Sequence, residues 1–322
     1  MAEDDMDKFQ EETWFILILQ FVGAVVGNGF AIFRFVARER PWHTGIIYSF
    51  NLAISDLLYA LSLLPLAFYY RTPKTWTYGL AVCKLDRFIF FCNLYGSTFF
   101  VACISLNRCV AIVHPFFAHG RIEPRHAKLL SGAVWLLVVT ISAPTLDFSV
   151  LSEPTNNTNL TNRTNCIGSA HTDQLPNYWP YSLFLFAFGC GLPFIITSVS
   201  CGAVLLTVLR NRNITMAEKR KVKVLVSMVV VLYIIFYLPY HILRNLNLSC
   251  RMGKFCHNQP SEDRKLLVHT LYQIAKFLVH FHICIHPLLY AALVHSMQEY
   301  CCSGCRRGKG VEEKNVELKL CN

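Results

Sequence analysis

Seven separate apolar stretches divide this chain, each long enough to cross a bilayer, with the strongly polar residues gathered at their ends or at a few interior positions. A helix spanning the hydrocarbon core needs about 20 mostly apolar residues, because each residue advances about 1.5 Å and no water is present to satisfy an open backbone. The stretches run roughly from Trp14 to Val36, Gly45 to Tyr70, Leu80 to Val113, Lys128 to Val150, Trp179 to Leu209, Ala217 to Asn247 and Lys265 to Val294. Hydrophobic residues make up 54% of the chain and charged residues 16%, far from a typical soluble domain. Within 322 residues, these spans and their short connections use almost everything. The expected fold is an all-α membrane protein: a seven-transmembrane helix bundle over residues 14–294, with an extracellular segment, 1–13, before it. A cytoplasmic tail, 295–322, with a short amphipathic helix is expected to follow.

An odd number of spans puts the termini on opposite sides, and the basic residues choose the sides. Alternate connections carry Arg38 and Arg40, then Arg121, Arg125 and Lys128, then Arg210, Arg212, Lys219, Arg220, Lys221 and Lys223, and the tail carries Arg306, Arg307 and Lys309. These are expected in the cytoplasm, and the acidic N-terminal segment outside, in a multi-pass plasma-membrane protein. That segment has no basic stretch leading into a short apolar core and cleavage site, so the first span is expected to be the anchor. Asn-x-Ser/Thr matches at Asn156, Asn159, Asn162 and Asn247 fall in outer connections, where a glycan acceptor is useful. A further match at Asn213 lies in a basic inner connection and reads as chance. The net charge of +10 is then the positive-inside bias, not the footprint of a nucleic-acid partner.

Half of the 14 cysteines lie within spans, where Cys behaves as a small hydrophobe. Cys83 opens the third span and Cys166 sits in the long second outer connection, in a compartment where a disulfide persists. A bridge between them would pin that loop over the bundle mouth. Cys250 and Cys256 share the third outer connection, with no cysteine in the N-terminal segment to compete, and are expected to pair. Cys301, Cys302 and Cys305 follow the last span beside basic residues; Cys301 and Cys302 are the lipidation candidates, with free cytosolic thiols as the alternative.

Three cations occupy outer turns of three different spans. Arg87 is one turn inward from Cys83, Arg244 follows His241 by three residues on the sixth span, and Lys276 follows Gln273 in the same way on the seventh. An intramembrane cation is costly and faces a cavity or a partner, so three that converge imply an anionic ligand held by charge-assisted hydrogen bonds. Arg71, Lys74, Arg251, Lys254, Arg264 and Lys265 nearby would raise the local anion concentration. Phe90, Phe91 and Tyr95 are candidate wall aromatics, one of which could stack on a base. The competing readings are plain: Arg and Lys near helix ends often snorkel to the interface, and most of the 24 Phe in such a chain are packing residues.

The interior punctuation resembles the rhodopsin-like G-protein-coupled receptors, span by span: Gly27-Asn28, Leu52-Ala53-Ile54-Ser55-Asp56, Trp76, Cys83, Asn107-Arg108-Cys109, Trp135, Pro193, Phe236 with Pro239, and His286-Pro287-Leu288-Leu289-Tyr290. Arg87-Phe88-Ile89-Phe90, Asn93-Leu94-Tyr95-Gly96-Ser97 and Pro239-Tyr240-His241-Ile242-Leu243-Arg244 are similar to the metabotropic purinergic receptors for extracellular nucleotides. Arg40-Pro41-Trp42-His43 and Val113-His114-Pro115-Phe116-Phe117-Ala118 look most like their ATP-selective subtype, coupled to both Gs and Gq. The resemblance implies that Arg87, Arg244 and Lys276 bind nucleotide phosphates, with His241 and Gln273 assisting.

It also implies a switch. Asp56 lies near the midplane, Ser97 is placed to face it, and His282 and His286 stand where many relatives complete a sodium site. A histidine paired with Asp56 would weaken sodium modulation and add some proton sensitivity; two neutral, hydrogen-bonded core histidines are the equal alternative. At the inner end, Asn107 replaces the acid that more often precedes Arg108, which removes the arginine's usual ion partner and could loosen the inactive state, raising basal signalling. Pro65, Pro144, Pro193, Pro239 and Pro287 are expected to kink their helices, and the resemblance has Tyr290 swinging inward on activation. The basic ends of the fifth and sixth spans would border a groove for a G-protein helix. No paired repeat, selectivity filter or catalytic constellation favours a transporter, channel or enzyme, and no cofactor is implied. The alternative ligands are a dicarboxylate, an anionic lipid or a nucleotide sugar.

Overall fold

The computed structural model describes residues 13–39, 41–71, 75–118, 123–152, 165–168, 172–212, 214–254 and 262–291. Seven helices are long and apolar enough to span a membrane: α1 (Trp14–Ala37), α2 (Thr44–Arg71), α3 (Gly79–Val113), α4 (Pro124–Phe148), α5 (Leu175–Arg210), α6 (Met216–Arg251) and α7 (Arg264–Ala291). They pack as one bundle. Its axis is α3, whose most apolar stretch is 78% buried against 28% for α1. Large aliphatic side chains such as Val26, Leu129, Leu136 and Val199 point outward, as a lipid-facing surface requires.

Polar side chains stitch the helices together where no water competes. Trp135 Nε1 donates to Asn51 Oδ1 at 3.0 Å, joining α4 to α2, and Tyr181 donates to the Ile141 carbonyl at 2.6 Å, joining α5 to α4. Asn28 donates to the Ile283 carbonyl at 2.9 Å, and a Cβ on Gly27 would lie 2.7 Å from Pro287 Cγ, so the Gly-Asn pair lets α1 approach α7 closely. Such interhelical bonds contribute on average about 0.6 kcal/mol each, enough to choose a register.

The expected proline distortions take a specific form. Leu185–Gly191 and Leu232–Tyr237 are π-helical, each just ahead of Pro193 and Pro239. A proline lacks the N–H that would close the preceding turn and its ring crowds the carbonyl four residues back, so the helix widens there. Pro144 falls at the turn that ends the regular part of α4, Pro65 leaves α2 continuous, and α7 is interrupted at Phe281, ahead of Pro287.

At one end of the bundle, β1 (Val150–Ser152) and β2 (Asn165–Ile167) pair antiparallel with Leu151 opposite Cys166. The Cys83–Cys166 disulfide ties this hairpin to the start of α3, as expected. Cys250 is also disulfide-bonded. Cys256, Asn156, Asn159, Asn162, Asn213, Lys74, Cys301, Cys302, Cys305, the acidic N-terminal segment and the short helix expected after residue 294 lie outside the described residues. One glycosylation expectation needs correction. Helix α6 runs on to Arg251, so Asn247 is buried within it rather than opening a loop.

Candidate functional site

At the disulfide end, a cavity of about 190 Å³ opens between α2, α3, α6 and α7 under the hairpin. Arg87, Arg244, Lys276, Gln273, Phe90 and Phe91 all line it, so the three cations do converge. Arg244 is clamped: its Nη2 donates to the Tyr178 hydroxyl at 2.6 Å, and its Cζ lies 4.5 Å from the Phe91 ring centroid. Tyr178 in turn donates to the Gly168 carbonyl at 3.2 Å. Gly168 also presses on Arg87, since a Cβ there would come within 2.5 Å of Arg87 Cδ. The segment after β2 therefore positions both arginines. Lys276 Nζ donates to the Tyr70 hydroxyl at 3.4 Å. Among the described residues, Arg87 Nε, Arg244 Nη1 and Gln273 Oε1 have no hydrogen-bond partner although buried, an unusual state for native polar atoms and one that a bound anion with its hydroxyls would relieve.

Three expectations are corrected here. Tyr95 and His241 do not line the cavity; they sit one layer deeper, His241 stacked on Phe186 at 5.8 Å and 5.7 Å from the Tyr95 ring. The i, i+3 spacing put His241 on the right face of α6 but one turn below Arg244. The cations are also not wholly unpaired, because Asp86 Oδ2 lies 4.0 Å from Arg87 Nε. Two of the outer cations are engaged elsewhere, Arg71 over the Trp14 ring and Lys254 over the Trp179 ring. Residues not anticipated include Tyr69, Tyr70, Tyr240 and Tyr272, which supply phenols to the wall. The adjacency of Tyr240 to His241 and of Tyr272 to Gln273 was the available signal.

Beneath the cavity lies a buried polar core. Phe90 forms its roof, with ring contacts to Tyr59, Tyr240 and His280, and Tyr59 is hydrogen-bonded to His280. Asp56 accepts from Asn93 Nδ2 at 3.0 Å, from His286 Nδ1 at 2.8 Å and from Tyr290 at 3.3 Å. His286 is thus the histidine that pairs with Asp56. His282 instead meets Asn93 Oδ1 at 2.9 Å and the Val279 carbonyl. Ser97 is buried but makes no hydrogen bond to Asp56; Asn93, one turn nearer the cavity, takes that place. On α6, Phe236 is buried in the π-helical turn ahead of Pro239, while its neighbour Tyr237 makes the polar contact, donating to His286 Nε2 at 3.2 Å.

At the opposite end, Arg108 and Tyr290 line a second, largely apolar cavity of about 50 Å³ between α3, α5, α6 and α7. Asn107 Oδ1 accepts from Thr44 at 2.8 Å, so it is committed to α2. His43, in the connection between α1 and α2, is pushed down to about 4 by burial and then by the Arg108 charge. Between that value and its ordinary 6.5 the unfolded chain binds a proton that the folded one does not, so stability falls as pH drops through this window. Solubilised protein is expected to lose melting temperature between pH 7 and about 5, and His43→Gln to lose less; equal losses would refute the assignment.

Seven spans, a hairpin bridged to α3 and a buried polar axis joining two end cavities define a heptahelical membrane receptor. The family profile described as 7 transmembrane receptor (rhodopsin family) matches residues 27–290. One curated relative, the Y-class purinoceptor 11 of Homo sapiens, is 42% identical over 318 residues, spanning 94% of this chain and 85% of its own length. Purinoceptor 1 of Gallus gallus is 33% identical over 305 residues, spanning 94% and 82%, and that of Homo sapiens 30% identical over 309 residues, spanning 94% and 80%. The chain belongs to the rhodopsin family of seven-transmembrane receptors and, within it, to the Y-class purinoceptors. It is a multi-pass plasma-membrane receptor, not an enzyme.

Proposed function

We propose that this chain is a cell-surface receptor for extracellular adenine nucleotides, ATP favoured, that activates heterotrimeric G proteins. Gq would lead to phospholipase C and calcium, and Gs to adenylyl cyclase. The observation that carries the reading is the cavity lined by Arg87, Arg244 and Lys276 from three helices, with aromatic rings beside them. Phosphate oxygens would accept from the orphaned arginine N–H groups, and a base would stack on Phe90, Phe91 or the tyrosine wall. Among the described residues no aliphatic side chain lines the cavity, which counts against a fatty-acid chain, and a dicarboxylate would leave the aromatic wall unused. The names of the purinoceptor relatives support a purine ligand, and the subtype motifs support ATP and dual coupling. With the N-terminus extracellular, the disulfide end faces outward and the Arg108 cavity faces the cytoplasm, where a G-protein helix would insert.

The test is an agonist panel in receptor-null cells, with calcium and cyclic AMP read separately. ATP is expected to raise both. Silence to every nucleotide, with surface expression confirmed, would remove the ligand assignment and leave the fold standing.

A further inference from the structure

Beside the cup lies one buried carboxylate that the ligand reading does not explain. Asp86 is buried, its Oδ2 is 4.0 Å from Arg87 Nε, and it also acts electrostatically on Lys276. Yet it does not line the cavity, and Arg87 Nε remains without a hydrogen-bond partner among the described residues. Asp86 is therefore not a clamp that closes on the arginine. It is a fixed negative charge set in the wall behind two of the three cations. The other acids in the described spans lie elsewhere: Asp56 in the polar core, Asp147 exposed on α4, and Glu218 capping the far end of α6.

A charge in that position has two physical effects. It offsets the cost of holding three like charges together in a low-dielectric wall. It also opposes every negative charge a ligand brings, and because Coulomb energy falls only as the inverse of distance, the opposition grows with ligand charge. The number of hydrogen bonds on offer is set by the cations, whereas the repulsion rises with each added phosphate. We propose that Asp86 is a specificity-determining residue that sets how strongly the cup distinguishes ligands by phosphate number. This rests on the nucleotide reading above.

The experiment compares wild type with Asp86→Asn, which keeps shape and removes charge, using hydrolysis-resistant analogues of adenosine mono-, di- and triphosphate in receptor-null cells. Potency is expected to rise for all three in the variant, and the gap between mono- and triphosphate to widen by about tenfold. Asp86→Glu, which keeps the charge, is expected to preserve the wild-type spacing. Asp86→Ser, also neutral, repeats the comparison on receptors counted at the surface should the amide disturb packing. Graded wild-type responses whose spacing is unchanged in both neutral variants would overturn this inference and leave the nucleotide reading intact. A fall in potency for all three would also overturn it, making Asp86 a positioning residue for Arg87. Silence of the wild type to all three would overturn both.

Discussion

Arg244→Ala is expected to lower nucleotide potency by about a hundredfold while the receptor still reaches the cell surface. The guanidinium is held from two sides, by the Tyr178 hydroxyl at 2.6 Å and by the Phe91 face at 4.5 Å, so it is in place before a ligand arrives. Little ordering entropy remains to be lost on binding, and the unsatisfied Nη1 is available to a phosphate. Truncating one partner of a desolvated, hydrogen-bonded charge pair costs about 2–5 kcal/mol, and about 3 kcal/mol is two decades of potency. Arg244→Lys keeps the charge but replaces the planar fork with a single nitrogen that must serve both Tyr178 and a phosphate, and is expected to lose about tenfold. Concentration-response curves, normalised to surface receptor, separate this from misfolding. Unchanged potency in Arg244→Ala would remove Arg244 from the phosphate contact.

The fold was legible because hydrocarbon imposes a length on each apolar run, and length can be counted. The convergence of Arg87, Arg244 and Lys276 was legible for a related reason, since a costly intramembrane cation carries information that a phenylalanine does not. Depth was harder to read. The spacing of His241 from Arg244 gives a shared face, but three residues also separate the two by about 4.5 Å along the helix axis, and nothing in the sequence marks where the cavity floor lies. Pro239 announces a distortion in α6, but not that it takes the form of a π-helical turn at Leu232–Tyr237. The family resemblance placed Ser97 against Asp56, whereas Asn93, four residues earlier on the same face, is the one that reaches it. Asp86 escaped notice because adjacent residues on a helix do not face each other. Here burial of both brings their charged ends within 4.0 Å. Asn247 shows the opposite error, a motif read without its packing.

His286→Ala is expected to be the most damaging single change in the polar core. Asp56 Oδ1 is taken by Asn93 and Oδ2 by His286 and Tyr290, all fully inside the bundle. Removing the imidazole leaves a buried carboxylate without its closest partner and deprives Tyr237 of its acceptor, a loss of about 3–5 kcal/mol for a broken buried pair. A melting temperature lower by about 10 °C in detergent is the corresponding readout. A second measurement separates the role of the pair from its contribution to stability. In the wild type, replacing extracellular sodium with a large organic cation is expected to leave agonist potency unchanged, because both oxygens that could ligate an ion already accept from protein donors. In His286→Ala, Oδ2 loses its nearest donor, and potency is expected to become sodium-dependent. A large sodium effect in the wild type would mean that the Asp56–His286 contact opens readily in the membrane. The polar core would then be an ion site that the histidine only visits.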